Sequence, residues 1–535
     1  MKQQSIPLQE IITKVVTPDK VIERSPCWMG LGTMQGLNRR WENQPVLDFI
    51  NYNLRGIGQV IFVNNPLSGL LILLALFIQS PWVGWMSLLG VVSSTVTAIA
   101  LNLDRNNIRN GIYGYNGILV GAALATFGSE ESLIWAIAVM VFSALTTVML
   151  RTFGVWWAST FDSPPLTLPF NLATLLFLIL VALIPQSIFK LATAADSAIV
   201  PLNTTQLLAS TPINFGQVFL ADNLIAGGLI LLAVAFCTPL GAVVGFVGAI
   251  LGVVAAFILG IVPNEIYAGL WGYNSLLAAM AIGGIFYAPN LRSFLVGAGC
   301  AFFAALAIPL VALITKPLGL PVLTLPFCIV TIGFFIILRR SLPSLVPVAL
   351  HAVTSPEEHR QRFLVAKDII SNFRRQLEIA IDGKGRNFML DRANESTKGD
   401  LRYIFEAIDS DRSGELSTSE LASYLTKTKQ SINDDELNYL FKCMDRDGNG
   451  KIDFEEFGEL MLRHRRFMAQ HDAFMTYFLP IDANKDDLIS IGEMNNAMKS
   501  VGEARLTREE IDFLQRRSNS ESFTWNQFIE LLLLT

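Results

Sequence analysis

Between about Val46 and Leu338 the chain passes through one apolar segment after another with few charges between them, and this stretch decides what it can fold into. Runs such as Leu70–Ile78, Leu172–Leu183, Leu224–Phe236 and Phe302–Ile314 are interrupted by Gly and Pro. A helix crossing a bilayer needs roughly 20 largely apolar residues. Several runs reach that length with their neighbours, and others are too short to cross alone. A water-soluble surface needs charge; only 16% of the 535 residues are charged here, and 52% are hydrophobic, against about a quarter charged in ordinary soluble domains. The expected class is an all-α, polytopic protein of the lipid bilayer, in the cell (plasma or inner) membrane. Met1 to Trp28 is polar and charge-mixed, so no cleavable signal peptide is expected and the first spans would direct insertion.

The apolar part repeats itself. Gly58-Gln59-Val60 recurs as Gly216-Gln217-Val218, and Gly114-Tyr115-Asn116 as Gly272-Tyr273-Asn274. Asn65 to Gly69 matches Asn223 to Gly227, and Leu166-Thr167-Leu168-Pro169-Phe170 recurs as Leu323-Thr324-Leu325-Pro326-Phe327. The glutamine, asparagine and tyrosine pairs lie 158 residues apart and the threonine pair 157. Four blocks in one order at nearly one offset mark a duplicated domain. Segment lengths give about five spans per half; an odd number makes the two halves inverted repeats, about ten spans in all plus short re-entrant helices. Breakers beside polar groups (Asn64, Asn65 and Pro66; Asp222 and Asn223) point to a pore or binding site where the repeats meet, because irregular backbone at membrane depth must be buried or line a wet cavity.

The chemistry available there is uncharged. Asp104, Arg105, Arg109, Arg151, Asp162, Lys190, Asp222, Glu265, Arg292 and Lys316 mostly sit at segment ends, and all four histidines follow the apolar part. No intramembrane relay of Asp, Glu or His suggests proton coupling. No nucleophile–base pair or metal constellation suggests an enzyme. Five cysteines (Cys27, Cys237, Cys300, Cys328, Cys443) show no paired spacing. Passive passage of a neutral solute fits best. Gln59 and Gln217 offer uncharged acceptors and donors, Tyr115, Tyr273, Phe62 and Phe219 flat faces, and Thr167 and Thr324 hydroxyls. Such groups suit a small planar molecule that donates several hydrogen bonds. Taken singly, the aromatics could be core packing and each threonine could bond its own helix; their repetition in both halves argues for function.

At these residues the chain resembles the urea transporter family, over about residues 30–340. The resemblance is carried by Gln59 to Pro66, Gly114 to Gly117, Leu270-Trp271-Gly272-Tyr273-Asn274 and both Leu-Thr-Leu-Pro-Phe blocks. It implies ten spans in two inverted halves, a homotrimer, and in each protomer one pore that sandwiches urea between aromatic faces beside a ladder of carbonyl oxygens. By motif position, Gln59 and Phe62 would form one urea-binding site with Tyr115, and Gln217, Val218 and Leu220 the other with Tyr273. Leu119 and Leu277 would narrow the middle, where Thr167 and Thr324 replace lost water contacts. Some members carry Glu at the position of Gln217, and Leu224 stands where the first half has Pro66, so the two mouths need not be equivalent.

A second repeat of shorter period begins near Asp400. An EF-hand loop needs oxygen ligands at positions 1, 3, 5, 7, 9 and 12 and glycine at 6. Asp409, Asp411, Ser413, Gly414, Glu415, Ser417 and Glu420 meet this pattern, and Asp445, Asp447, Asn449, Gly450, Lys451, Asp453 and Glu456 meet it again 36 residues on. Position 7 contributes a backbone carbonyl, so Lys451 is harmless there. A third loop runs through Asp482, Asn484, Asp486, Leu488, Ser490 and Glu493, with Asp487 where glycine belongs, which weakens it. A fourth, Arg516 to Gln527, lacks ligands at both ends and reads as a pairing partner. The implied cofactor is Ca2+.

The expected domains are an N-terminal cytoplasmic segment (1–44), membrane repeats at 45–195 and 196–340, a linker (341–398) and a helical EF-hand domain (399–535). Arg339 and Arg340 after the last span place that domain in the cytoplasm by the positive-inside rule. Ser355 to Ala380 reads as a charged amphipathic helix, either a coupling rod or the apolar target of an opened EF-hand pair. Urea, calcium and the bilayer are the expected partners, with no nucleic acid. The function expected is passive urea transport modulated by calcium. The alternatives are a channel for another small neutral solute (a short amide, ammonia, water) or a membrane-anchored calcium-responsive signalling protein.

Overall fold

Proline and asparagine set where the helices of the apolar part begin. Pro45, Pro66, Pro81, Pro239 and Pro263 each open a helix, at the one turn where a missing N–H leaves nothing unbonded. Asn65 caps Pro66–Gln79 by accepting from the N–H groups of Leu67 and Ser68, and Asn223 caps Leu224–Cys237 by accepting from Ile225 and Ala226. Thr238 accepts from the Gly241 N–H at the head of Pro239–Ile258.

This computed structural model describes residues 32–34, 36–41, 44–128, 131–161, 163–183, 201–341, 345, 347–348, 354–381, 390–391, 393–427, 437–438, 441, 444–445, 448–465, 488–500, 503–518 and 522–524. Two units divide the chain: Pro26–Gln361, and Arg362–Thr535 with Met1–Ser25. In the first unit the helices Pro45–Gln59, Pro66–Gln79, Pro81–Ala100, Arg105–Arg109, Tyr115–Phe127, Leu133–Phe161 and Leu168–Leu183 are followed by Thr204–Gln217, Leu224–Cys237, Pro239–Ile258, Pro263–Tyr267, Tyr273–Met280, Leu291–Thr315 and Leu325–Ser341. The second series matches the first element by element, except that Tyr273–Met280 runs on into a π-helical turn, Ala281–Ile285. Among the described residues four helices are long and apolar enough to cross a membrane: Pro81–Ala100, Leu133–Ala158, Pro239–Ile258 and Leu291–Leu318. Six shorter apolar helices accompany them, among them Tyr115–Phe127 and Tyr273–Ile285.

Glycine lets the first two helices of each series cross closely. A Cβ on Gly69 would stand 1.9 Å from the Leu54 carbonyl oxygen, and one on Gly227 would stand 2.2 Å from that of Pro212. Small residues at such crossings replace the hydrophobic drive that lipid cannot supply. The two series then meet: Ser68 Oγ donates to the Ala233 carbonyl (2.7 Å), and Gln79 both donates to Asp222 (2.8 Å) and accepts from the Asn223 N–H (3.1 Å).

In the second unit, Glu395–Ile408 and Thr418–Lys427 flank the first calcium-type loop, and residues 454–465 form the helix after the second. The rings of Phe405 and Phe457, both buried, lie 5.6 Å apart in its core. Two short antiparallel ladders join the loops in pairs. Leu416 pairs with Ile452, and Ile489 with Phe523. The fourth, degenerate loop thus pairs with the third. The amphipathic helix runs over Pro356–Ile381.

Candidate functional site

Four non-glycine residues of the first unit's paired blocks hold a left-handed backbone, and they fall in matching pairs: Phe62 (φ 61°) with Leu220 (φ 59°), and Leu166 (φ 52°) with Leu323 (φ 50°). Each such residue costs about 1 kcal/mol or more and persists only where its surroundings over-determine it. Here they do. The Tyr115 hydroxyl donates to the Leu166 carbonyl (2.7 Å), and the Tyr273 hydroxyl donates to that of Leu323 (2.6 Å). Asn116 accepts from the Phe170 N–H and Asn274 from the Phe327 N–H, each at 3.2 Å. The Gly-Tyr-Asn blocks therefore clamp the Leu-Thr-Leu-Pro-Phe blocks of their own halves.

The glutamines are held in the same paired way. Gln59 Nε2 donates to the Asn110 carbonyl (2.9 Å) and Gln217 Nε2 to that of Ala268 (2.7 Å). A carbonyl can only accept, so each amide is oriented with its nitrogen toward the loop, which leaves Oε1 as the acceptor on the other side. Phe62 and Leu220 follow three residues later, their N–H groups bonded to the carbonyls of Gln59 and Gln217.

At the centre the halves touch. Thr167 Oγ1 and Thr324 Oγ1 are 2.7 Å apart, although 157 residues separate them. Both are buried, and Asn171 Nδ2 reaches Thr324 Oγ1 (2.8 Å) while Cys328 Sγ lies 3.2 Å from Thr167 Oγ1. The structure thus brings Thr167 and Thr324 together and sets Tyr115 and Tyr273 against the residues preceding them. Leu119, Leu277 and Val218 are buried in the same apolar cluster, with Phe62, Leu220, Tyr115 and Tyr273 partly buried against it. The match is not complete. Phe62 stacks edge-on with Phe286 (5.7 Å) and Phe327 (6.3 Å), whereas Leu220 has no ring to offer. The sequence did not single out Leu166, Leu323, Asn171 or Cys328; an asparagine immediately after one repeated block and a cysteine after the other was the available signal.

In the second unit the first loop draws its acids together. Carboxylate oxygens of Asp409, Asp411 and Glu420 lie within 4.8 Å of one another. Asp409 accepts from the Ser413 and Gly414 N–H groups, with Gly414 at φ 82° in the turn. Ser413 Oγ donates to the Glu415 carbonyl (2.8 Å). Burial would push the Glu420 carboxyl up, but bonds from the Ser417 hydroxyl and the Ser417, Asp411 and Ser410 N–H groups outweigh it and bring it down to about 2. An ionised, hydrogen-bonded Glu at position 12 beside two Asp carboxylates fits a cation that takes oxygen ligands at about 2.3–2.6 Å.

The second loop is built alike: Asp445 accepts from Gly448, Asn449 and Gly450, and Glu456 from the Asp453 N–H. Lys451 turns its ammonium to Glu415 (2.6 Å), which raises its pKa and leaves the Lys451 carbonyl for the loop. Asp447 lies outside the described residues, as do Asp482, Asn484 and Asp486 of the third loop. Of that loop, Leu488 stands in the ladder and Glu493 accepts from Ser490 N–H and Oγ.

Long apolar helices, paired broken elements and a polar contact at their centre define a membrane transport protein with an appended EF-hand module. Comparison with known proteins is specific. The urea transporter family model matches residues 50–339, and an EF-hand domain pair matches 398–462. Urea transporter 1 of Ovis aries is 36% identical over 324 residues, 59% of this chain and 84% of that protein. Urea transporter 1 of Mus musculus is 34% identical over 343 residues, 63% of this chain and 89% of that protein. The chain belongs to the urea transporter family, and as such it is a transporter and not an enzyme.

Proposed function

We propose that the protein gives urea facilitated, passive passage across the membrane, past Gln59, Phe62 and Tyr115 at one mouth and Gln217, Val218, Leu220 and Tyr273 at the other. Leu119 and Leu277 narrow the middle around Thr167 and Thr324. The observation that carries this is the buried contact of two hydroxyls from separate repeats, Thr167 and Thr324, 2.7 Å apart. An unpaired polar group there costs several kcal/mol, so a solute rich in N–H groups needs exactly such uncharged partners along its way. Weak binding divided over several sites keeps flux fast. The ten-span, inverted-repeat arrangement, the homotrimer and a cytoplasmic EF-hand domain belong to the same proposal, supported by family membership.

Calcium modulation is proposed on the linker helix. Its sequence contributes to both units. Glu357 accepts from the Leu240 N–H (2.7 Å) and Glu358 from the Thr33 hydroxyl (2.5 Å) in the first. In the second, Arg374 donates to the Ala504 and Arg505 carbonyls and pairs with Glu510 (3.4 Å). Calcium bound to the loops would supply positive charge among their carboxylates; Asp409, Asp411, Ser413, Glu415 and Glu420, then Asp445, Asn449, Lys451 and Glu456, would hold it, with Asp447 and the third loop (Asp482, Asn484, Asp486, Leu488, Glu493) completing the set. Urea uptake into proteoliposomes with and without free calcium is the test. Uptake equal to that of empty liposomes removes the transport proposal, and uptake indifferent to calcium removes only the modulation.

A further inference from the structure

Where the two Leu-Thr-Leu-Pro-Phe blocks meet, the halves stop matching: the next residue is Asn171 in one and Cys328 in the other. Both are fully buried. Asn171 Oδ1 accepts from the Thr324 backbone N–H (3.1 Å), a group that can only donate. The amide nitrogen therefore faces Thr324 Oγ1 and the Thr167 carbonyl, and donates to each at 2.8 Å. The opposite orientation would set carbonyl against carbonyl and N–H against N–H.

Thr324 Oγ1 thus receives a bond from Asn171, and receiving one makes its own O–H a better donor. Thr167 Oγ1, at 2.7 Å, is in reach of that proton. Thr167, receiving in turn, has its proton left for Cys328 Sγ at 3.2 Å. We infer that the centre holds a hydrogen-bond chain of fixed direction, Asn171 to Thr324 to Thr167 to Cys328, in which Asn171 is a positioning residue and the Cys328 sulfur holds the Thr167 proton until a solute carbonyl takes it. Sulfur is a weak acceptor, so the carbonyl oxygen of a passing solute displaces it readily. The chain makes Thr167 a donor to C=O and so favours carbonyl over thiocarbonyl solutes. This rests on the proposed passage of urea past the two threonines.

The test is uptake of urea and of thiourea into proteoliposomes of the full chain, for the wild type, N171D and C328S. In N171D the carboxylate accepts from the Thr324 hydroxyl, which reverses the chain and turns the Thr167 proton toward Thr324. In C328S an oxygen holds that proton more firmly than sulfur does. Urea uptake is expected to fall about ten-fold in N171D and about three-fold in C328S, the scale of one hydrogen bond lost or strengthened. Thiourea, whose sulfur accepts poorly, falls less, so the urea-to-thiourea ratio drops in both. A purely structural lesion slows both solutes alike. An unchanged ratio in C328S overturns the inference, even where N171D does not fold. Wild-type protein that carries no urea overturns the transport proposal itself and the inference with it.

Discussion

Asn65 is followed by Pro66 and its counterpart Asn223 by Leu224, yet each caps its helix through the same two N–H bonds. The glutamine, tyrosine and asparagine bonds also recur in both halves, with a left-handed backbone at the same places. Other matching positions differ: Phe62 against Leu220, Asn171 against Cys328. What recurs is the set of groups that closes strained turns. What varies is what those turns present. The comparison teaches that the duplication is one of scaffold, on which the proposed passage mounts two unlike mouths and a directional centre.

The largest effects should come from the shared scaffold. Gly69→Ala and Gly227→Ala place a Cβ 1.9 Å and 2.2 Å from a carbonyl oxygen, and each is expected to destabilise by about 3 kcal/mol. Equal losses of Tm in detergent support equivalent scaffolds, and a large inequality breaks the comparison. Next, Thr167→Val with Thr324→Val should lower urea flux about a hundred-fold, roughly ten-fold for each hydroxyl removed, with Tm little changed. Unchanged flux would remove the threonines from the mechanism.

Phe62→Leu gives the first proposed mouth the side chain that the second carries at Leu220. It should weaken half-saturation by urea about five-fold, the worth of one aromatic face, and Leu220→Phe should do the reverse. If neither moves half-saturation, the mouths do not differ in the way their side chains suggest. The smallest effect concerns the other unit. The Glu420 pKa is lowered from 4.5 to about 2, so its stabilisation of the calcium-free first loop is complete above about pH 4.5 and lost as the pH falls toward about 2. Hydrogen exchange at residues 410–417 in calcium-free protein should quicken across that window, and Glu420→Gln should abolish the window.

The sequence by itself determined the apolar unit, its duplication and the EF-hand loops, because each is a local pattern: span length and charge, recurrence at one offset, oxygen ligands at fixed spacing. It also marked the repeated Gln, Tyr and Thr as the residues to watch. Only the tertiary structure decided what they do to the backbone. Nothing local makes Leu166 or Leu323 adopt a positive φ; a tyrosine hydroxyl about 50 residues earlier, at 2.7 Å and 2.6 Å, holds each there. Nor can spacing say that Thr167 meets Thr324, since the packing of separate helices brings their oxygens together. The direction of the bonds at that meeting depends on Asn171 and Cys328; the repeat shows that the halves differ there, but not which groups those side chains meet.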